Sequence, residues 1–433
     1  MSAKNYRFGA LCALAAFYVC ASSAVAGPPN PTSSYSNAGA TDPDRAVPIP
    51  NAKDDPAAAP QQNTARQAVA DIFNAAKSLA AQKQYAAALT KLQEADAIPD
   101  LTRYESGLIE TLRIVAALQT DNNPVAIKAL QGLPDTVTAE QRSKYAMAIT
   151  VIYFNAQDYP GTIEWAKRYL SEGGSEQARA ESLLTRSYYF SGDYADALQS
   201  VIATLTKKEQ AGEAPKEDEL QVYENAALKQ KDQAQYIAAL TKLVTYFPTA
   251  DRWDDLIQQT IIRPGYPWEK RALDVFRLEM AVGTLRLPLQ VNGYVAAAIQ
   301  AGYPAEAVTV LDHGPDVANA ALRASATKAL ESDRKDLPAA EIAANKSANG
   351  DALVKLGIDY YGYGQYDKAL ALIQAGKAKG GLKSPDDANL ALGIVYLAAG
   401  QKDKAADTFK SVTQTGGPAE LAQLWALKAR NDN

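Results

Sequence analysis

The sequence predicts an all-α protein built from repeated pairs of antiparallel helices, and three observations support that class. The chain of 433 residues is 47% hydrophobic, a globular composition in which alanine, the best helix-forming residue, supplies much of the apolar share. Long runs of β-branched residues are absent, and Ile261 with Ile262 is about the longest pure case. A phrase rich in Leu, Tyr, Gly and Ala also recurs along the chain, which favours a repeat architecture.

The first 26 residues have the features of a secretory signal peptide. Lys4 and Arg7 form a positively charged start, residues 8–20 are apolar, and Ala24-Val25-Ala26 supplies the small residues that signal peptidase requires. The alternative, a retained membrane anchor, is disfavoured because the apolar run is too short to span a bilayer. We therefore expect cleavage between Ala26 and Gly27, a periplasmic or secreted mature protein, and no membrane insertion after cleavage.

Cysteine content and net charge disfavour several classes of site. Cys12 and Cys20 both lie in the predicted signal peptide, so no disulfide is expected in the mature protein. Leu11 and Val19 precede these cysteines where a lipoprotein has a small residue, so lipid attachment is not expected. The formal net charge is -5 and no basic stripe is present, which disfavours nucleic-acid binding because phosphate contacts require clustered Lys and Arg.

Residues 27–63 are predicted to form a disordered leader rich in Pro, Ala and Ser. This segment holds eight of the 22 prolines and has no apolar periodicity. Such a composition buries too little surface to offset the entropy lost on ordering. Its function is left open between a tether that spaces the repeats from a surface and an inert linker.

A phrase recurs from about Thr64 onwards, and its clearest copies begin at Leu184, Leu356 and Leu392. Each has Thr or Gly at the next position, then Tyr, Gly and Ala four, eight and thirteen positions after the leucine. A small residue after the leucine lets a second helix approach closely. The later glycine tolerates the left-handed conformation that ends a helix, and the alanine offers a second small surface at the crossing.

This phrase resembles the tetratricopeptide repeat, whose period is about 34 residues. The resemblance extends from about Thr64 to the C-terminus. It implies a right-handed superhelical solenoid whose first helices line a concave face. The block from Trp253 to the phrase Gly302-Tyr303-Pro304-Ala305-Glu306-Ala307 is similar to the middle of a set of exported bacterial tetratricopeptide proteins, and that similarity implies no particular activity.

Equivalent repeat positions fall at residues 88, 126, 162, 197, 236, 307, 369 and 405. The two wide gaps, after 236 and after 307, each predict one degenerate helical hairpin, and the run Pro264-Gly265-Tyr266-Pro267 must break the helix in the first. The predicted organisation is an N-terminal repeat array over 64–250, degenerate hairpins including one repeat-like unit over 251–349, a C-terminal repeat pair over 350–416, and a capping helix over 417–433.

The resemblance also implies which residues face the concave groove. They are the residue after each signature Gly or Thr and those four or five positions after that Gly or Thr, which are Val151, Phe154, Arg186, Tyr189, Phe190, Ile358, Tyr361, Ile394 and Leu397. A mixture of aromatic residues and arginine suits a protein-binding surface. Packing between adjacent repeats explains the same residues equally well.

The sequence offers little support for catalysis, a cofactor or a metal. Its single histidine, His313, precedes Gly314 at a predicted helix end, and Gly362-Tyr363-Gly364 coincides with a repeat turn and not with a nucleotide-binding loop. The usual nucleophile pairs and zinc sites lack the His and Cys residues that they need. Glu105, followed by Ser106, resembles the catalytic glutamate of soluble lytic transglycosylases, but no lysozyme-like domain follows.

Three function classes remain open from the sequence. The first is a non-enzymatic scaffold or adaptor that binds a protein or peptide of the bacterial envelope. The second is a module that binds an envelope polymer, peptidoglycan or polysaccharide, which the 23 tyrosines allow. The third, a remote alternative, is a glycan hydrolase or lyase that uses Glu105. No cofactor is expected in any of them.

Overall fold

The computed structural model describes residues 64–134, 137–314 and 319–431. Within these ranges the chain forms twenty α-helices and no strand, which confirms the all-α class. No helix there is both long enough and apolar enough to cross a bilayer. The predicted signal peptide and leader lie outside the described residues.

The N-terminal unit covers the described residues up to Asp232, and each of its helices packs against the next. A short 3-10 turn, Glu94–Ala97, follows the second helix. Its helices are α1 (Gln67–Ala81), α2 (Tyr85–Gln93), α3 (Arg103–Leu118), α4 (Asn123–Gln131), α5 (Ala139–Asn155), α6 (Tyr159–Ser171), α7 (Gln177–Ser191), α8 (Tyr194–Gln210) and α9 (Glu217–Gln230). The first helices of several adjacent hairpins also touch, so this unit is a linear stack of helix pairs.

The C-terminal unit begins at Gln233. Its helices are α10 (Gln233–Tyr246), α11 (Ala250–Ile261), α12 (Trp268–Val282), α13 (Pro288–Ala301), α14 (Pro304–His313), α15 (Ala320–Lys346), α16 (Asp351–Gly362), α17 (Tyr366–Lys379), α18 (Pro385–Ala398), α19 (Lys402–Lys410) and α20 (Pro418–Asn431). The predicted boundaries at 250/251, 349/350 and 416/417 all fall inside this unit.

The signature glycines end helices as expected. Gly192, Gly364 and Gly400 have φ of 85°, 72° and 72°, the left-handed region where a residue with a Cβ is strained. The signature alanines Ala197, Ala369 and Ala405, thirteen positions after each leucine, are fully buried. The repeat phrase therefore fixes both the turn and the close crossing of each hairpin.

A second kind of glycine lies inside the first helix of two repeats. A Cβ at Gly357 would lie 2.6 Å from Cγ1 of Ile373, and a Cβ at Gly393 would lie 2.4 Å from the Phe409 ring. The two helices of each hairpin therefore touch at these positions, which is the close approach that the sequence predicts.

The core of the C-terminal unit joins the two ends of that unit. Leu240 on α10, Ile394 on α18 and Trp425 on α20 belong to one cluster of buried residues. The side-chain amide of Asn431 also donates to the carbonyl of Val244 at 2.8 Å. The unit is therefore closed on itself, and the helix predicted as a cap over 417–433, α20, is an interior helix with Leu421, Leu424 and Trp425 buried.

The two wide gaps between repeats are filled differently. The first holds the hairpin α11–α12, with the Pro-Gly-Tyr-Pro run between the helices as expected. The second was predicted to hold a hairpin but holds the single helix α15. That segment has no glycine to end a helix, is rich in alanine and charged helix formers, and retains Pro338 inside the helix.

Candidate functional site

Three of the expected groove residues, Phe154, Tyr189 and Phe190, join with two further tyrosines in one contiguous group of rings on the N-terminal unit. The group, here called the aromatic ladder, is Phe154, Tyr159, Tyr189, Phe190 and Tyr194, and all five rings are partly exposed. Ring centroids lie 6.1 Å apart for Phe154 and Tyr159, 5.2 Å for Tyr159 and Phe190, 5.5 Å for Phe190 and Tyr189, and 5.5 Å for Tyr189 and Tyr194. These stacked and edge-to-face contacts link α5, α6, α7 and α8 into one surface.

Two helix caps set the position of the ladder tyrosines. Oδ1 of Asp158 accepts a hydrogen bond from the Gly161 amide at 2.9 Å, and Oδ1 of Asp193 accepts one from the Asp196 amide at 3.4 Å. Each cap is followed directly by a ladder tyrosine, whose ring contacts the aromatic residue five positions earlier on the preceding helix. Tyr159 and Tyr194 were not among the predicted groove residues, although aromatic residues five positions apart on either side of a turn are a signal that identifies them.

Arg186 lies beneath the ladder and not on its surface. Its side chain is 8% exposed, and its guanidinium carbon is 5.1 Å from the centroid of the Phe154 ring. Arg186 also lines a small surface pocket together with Ser182, Thr204 and Asp218. Arg186 therefore supports a ladder ring instead of offering a free charge to a partner.

Val151 is separate from the ladder. It is partly buried and packs against a cluster that includes Tyr145 and Trp165. Burial raises the pKa of the Tyr145 hydroxyl to about 12, and that oxygen has no hydrogen-bond partner among the described residues. Val151 thus contributes to the core of the unit beside the ladder.

The groove positions of the C-terminal unit lie against its interior. Ile394 is 4% exposed and belongs to the core that joins α10 with α18 and α20. Leu397 packs against the same core, Ile358 packs against the core of α16–α18, and Tyr361 packs against both. Closure of this unit therefore covers surface that an open repeat stack would present to a partner.

A buried ionic group beside Tyr361 was not predicted. The Arg277 guanidinium donates two hydrogen bonds of 2.7 Å to the Glu306 carboxylate, which also accepts one of 2.8 Å from the Tyr294 hydroxyl. The Arg277 guanidinium carbon lies 5.5 Å from the Tyr303 ring centroid and 5.9 Å from that of Tyr361. Each buried charge thus has a partner, so we assign this group a structural role.

Asp359 is a buried carboxylate of a different kind. Its side chain is 7% exposed, and its Oδ1 has no hydrogen-bond partner among the described residues. Burial first, and then the nearby carboxylates of Asp333 and Glu306, raise its pKa to about 7, while Lys355 opposes the rise.

The structure removes Glu105 as a candidate general acid. Its side chain is fully buried, and its carboxylate accepts hydrogen bonds from Arg66 Nε at 2.9 Å, Arg66 Nη2 at 2.9 Å and the Thr102 amide at 2.9 Å. The hydrogen bonds from Arg66 are the largest cause that lowers its pKa to about 2. A general acid needs a raised pKa and access to substrate, and Glu105 instead forms a capping box with Thr102.

The other residues weighed for chemistry have structural positions. His313 is the last residue of α14, and Gly362-Tyr363-Gly364 forms the turn between α16 and α17. The described residues contain no group of three or more His, Cys, Asp or Glu side chains arranged to hold a metal ion.

Comparisons with known proteins agree with the helical repeat. The tetratricopeptide repeat family matches residues 387–415, the segment that holds α18 and α19. No curated protein sequence matches the chain. Among solved structures, the TPR2AB-domain:pHSP90 complex of yeast Sti1 is 12% identical, with 66% of this chain and 98% of that chain covered and a TM-score of 0.23. The APC/C hetero-tetramer Cut9-Hcn1 is 12% identical, with 79% of each chain covered and a TM-score of 0.21.

These TM-scores are too low to establish a shared overall arrangement. The structure of the matched residues supports the family match. Gly393 lies against Phe409, Gly400 ends the first helix, and Ala405 is fully buried. Residues 387–415 therefore form a tetratricopeptide repeat within this all-α chain.

Proposed function

We propose that this protein is a non-enzymatic scaffold or adaptor, exported to the bacterial periplasm or secreted, that binds a protein or peptide through the aromatic ladder. The observation that carries the proposal is the ladder itself, five partly exposed rings in continuous contact across two hairpins of the N-terminal unit. Tyrosine and other aromatic rings supply much of the binding energy at protein interfaces, because they bury a large apolar area at little cost in side-chain entropy.

Closure of the C-terminal unit supports placing the binding surface on the N-terminal unit. There the corresponding positions are covered: Ile394 is in the core, and Leu397 and Tyr361 pack against it. The hydrolase alternative loses its candidate residue, because Glu105 is buried in an ion pair and a helix cap.

Site-specific photo-crosslinking in cells tests the proposal. A benzoyl-phenylalanine at position 159 or 194 is expected to capture a defined protein, identified by mass spectrometry. Tyr366 is the matched control, because it also begins a second helix and contacts an aromatic residue five positions earlier, Tyr361, with ring centroids 6.0 Å apart. The same partner at position 366, or no protein at 159 and 194, would refute the proposed surface.

A polymer partner has a separate readout. Retention of the protein on purified peptidoglycan or polysaccharide, lost when Tyr159 and Tyr194 are replaced by serine, would favour the envelope-polymer function instead. The observation that supports this second candidate is the partial exposure of the ladder tyrosines, because sugar rings stack on aromatic rings.

Export is tested independently of binding. Cell fractionation is expected to recover the mature protein outside the cytoplasm, and N-terminal sequencing is expected to begin at Gly27. A cytoplasmic protein that retains residues 1–26 would refute the export proposal while leaving the binding surface untouched.

A further inference from the structure

The aromatic ladder is bordered by carboxylates that form no ion pair within the described residues. Asp158 and Asp193 are both exposed, and each stands directly before a ladder tyrosine. Each carboxylate accepts a single cap hydrogen bond, from the Gly161 amide or the Asp196 amide. Neither forms an ion pair with any other residue in the part of the chain that the structure describes. Their negative charge therefore remains available at the ladder surface.

The neighbouring cations are held against rings. The segments that carry the rings, residues 151–161 and 187–196, contain Asp158, Asp193 and Asp196 but no Lys or Arg. Lys167 lies beside Tyr188, with Nζ 5.3 Å from the ring centroid, and a hydrogen bond with Tyr188 is the largest cause that raises its pKa. Asp193 and Asp196 make smaller contributions to that rise. The cation beneath the ladder, Arg186, is almost fully buried.

Partly exposed rings that adjoin carboxylates favour a positively charged ligand. The face of a Tyr or Phe ring attracts an ammonium or guanidinium group, and a nearby carboxylate adds to that attraction. The same carboxylates repel an acidic peptide, so the surface discriminates by charge. Asp158 and Asp193 occupy the same position in successive repeats, so the arrangement occurs twice along the ladder.

We infer that the aromatic ladder binds a peptide segment that carries lysine or arginine, with the cations placed over the ladder rings and beside Asp158 and Asp193. The inference rests on the proposed function and names the chemistry of its partner. It predicts that binding weakens as salt concentration rises, because exposed charges are screened.

The test uses three libraries of random twelve-residue peptides in which four fixed positions are basic, acidic or neutral. The full mature chain is immobilised, and retained peptides are identified by mass spectrometry. The basic library is expected to be enriched. For basic peptides chosen from it, the double variant Asp158→Asn/Asp193→Asn is expected to weaken binding by about fivefold, since each exposed charge pair contributes little singly. Asparagine is as good a helix N-cap as aspartate, so both helices keep their first turns.

The matched control is Asp71→Asn/Asp121→Asn, which removes the same charge from two exposed aspartates elsewhere in the N-terminal unit. This control is expected to change binding little. Equal weakening by both double variants would overturn the inference, and so would enrichment of acidic or neutral peptides. Either result leaves the proposed function standing if binding still requires Tyr159 and Tyr194. Failure of every library to bind, with no crosslink at positions 159 and 194, would instead overturn the proposed function.

Discussion

At the scale of single residues, two glycines show how a missing Cβ sets the spacing of helices. Gly393 lies against the ring of Phe409, and Gly357 lies against Ile373 and the carbonyl of Ala369. No side chain fits between these helices without moving one of them, because protein interiors are close-packed. The Leu-Gly pair in the repeat phrase therefore encodes a distance between helices as well as a helical segment.

The first prediction concerns that distance. Gly393→Ala is expected to lower the free energy of unfolding by about 1–3 kcal/mol, because the new methyl group overlaps the Phe409 ring. Chemical denaturation followed by circular dichroism measures the change. Gly132→Ala is the control, since its nearest neighbours would be 3.6 Å from the new Cβ and its φ is -83°. A neutral effect of Gly393→Ala would mean that the hairpin is looser than the structure shows.

The second prediction concerns Glu105 and Arg66. The folded-state pKa of Glu105, about 2, lies below its ordinary value, so the pair stabilises the fold above that ordinary value and loses this contribution as pH falls toward 2. Glu105→Gln is expected to cost about 2 kcal/mol at neutral pH, because hydrogen bonds to a charged group are lost, and less in acid. Denaturation at several pH values measures both effects.

Glu140→Gln is the matched control for that experiment. Glu140 is exposed and pairs with Lys144 at 2.8 Å across one helical turn, a type of pair that contributes little to stability. A pH-independent cost of Glu105→Gln would contradict the assignment of its effect to the charge.

At the scale of elements, α15 differs from every hairpin around it. Only a narrow stripe of its second half is protected from solvent: Asp333, Leu337 and Glu341 are partly buried, and Ala344 is buried. The Tyr363 hydroxyl donates to Asp333, and Tyr360 with Lys368 donate to Glu341. Polar contacts thus hold much of this half-helix, and Ile342, 58% exposed, lies outside them. Local opening is expected where few apolar contacts are buried.

The third prediction follows from Asp359, whose pKa is raised partly by Asp333 of this helix. Its folded-state pKa, about 7, lies above its ordinary value, so its contribution to stability is present in acid and lost as pH rises through 7. Asp359→Asn is therefore expected to stabilise the protein by about 2 kcal/mol at pH 8, with the gain shrinking in acid. Hydrogen exchange over residues 331–346 and thermal unfolding measure it.

Asp336→Asn, at an exposed position on α15, is the control for that measurement. Equal responses of both variants at pH 8 would indicate a general charge effect. A gain for Asp359→Asn that is the same at pH 5 and pH 8 would refute the raised pKa.

At the scale of the whole molecule, the described chain consists of two units with different construction. The N-terminal unit stacks helix pairs in order, and its helices α5 to α8 carry a partly exposed ladder of rings. In the C-terminal unit the last helix returns to the first, and Trp425 stacks on Phe409 with ring centroids 6.2 Å apart. The same repeat phrase therefore occurs in an open stack of helix pairs and in a closed unit.

The fourth prediction tests closure of the C-terminal unit. Trp425→Ala is expected to cost about 3–5 kcal/mol, because a buried indole leaves a cavity. Hydrogen exchange is expected to rise in α10–α12 as well as in α18–α20. Leu287→Ala, at a side chain 56% exposed, is the control and is expected to be near neutral. Loss of protection confined to α20 would restore the idea of a terminal cap.

The aromatic ladder shows how far the sequence alone predicts a surface. The repeat phrase placed Phe154, Arg186, Tyr189 and Phe190 on one face, and the structure brings them together. The repeat phrase did not indicate that Arg186 would be buried under Phe154. The repeat phrase also did not distinguish a groove residue from a core residue. Ile394 has the same repeat position as Arg186 but lies in a core formed with α10 and α20.

The sequence by itself determined the all-helical class, the helix ends at glycines and the tight crossings at alanines. Helix propensity, capping and left-handed turns depend on residues a few positions apart, so a linear pattern records them. Only the tertiary structure decided that the C-terminal unit closes, that α15 is one helix, and that Arg277 meets Glu306. Those outcomes depend on which distant apolar faces pack together, and a repeat period carries no information about that pairing.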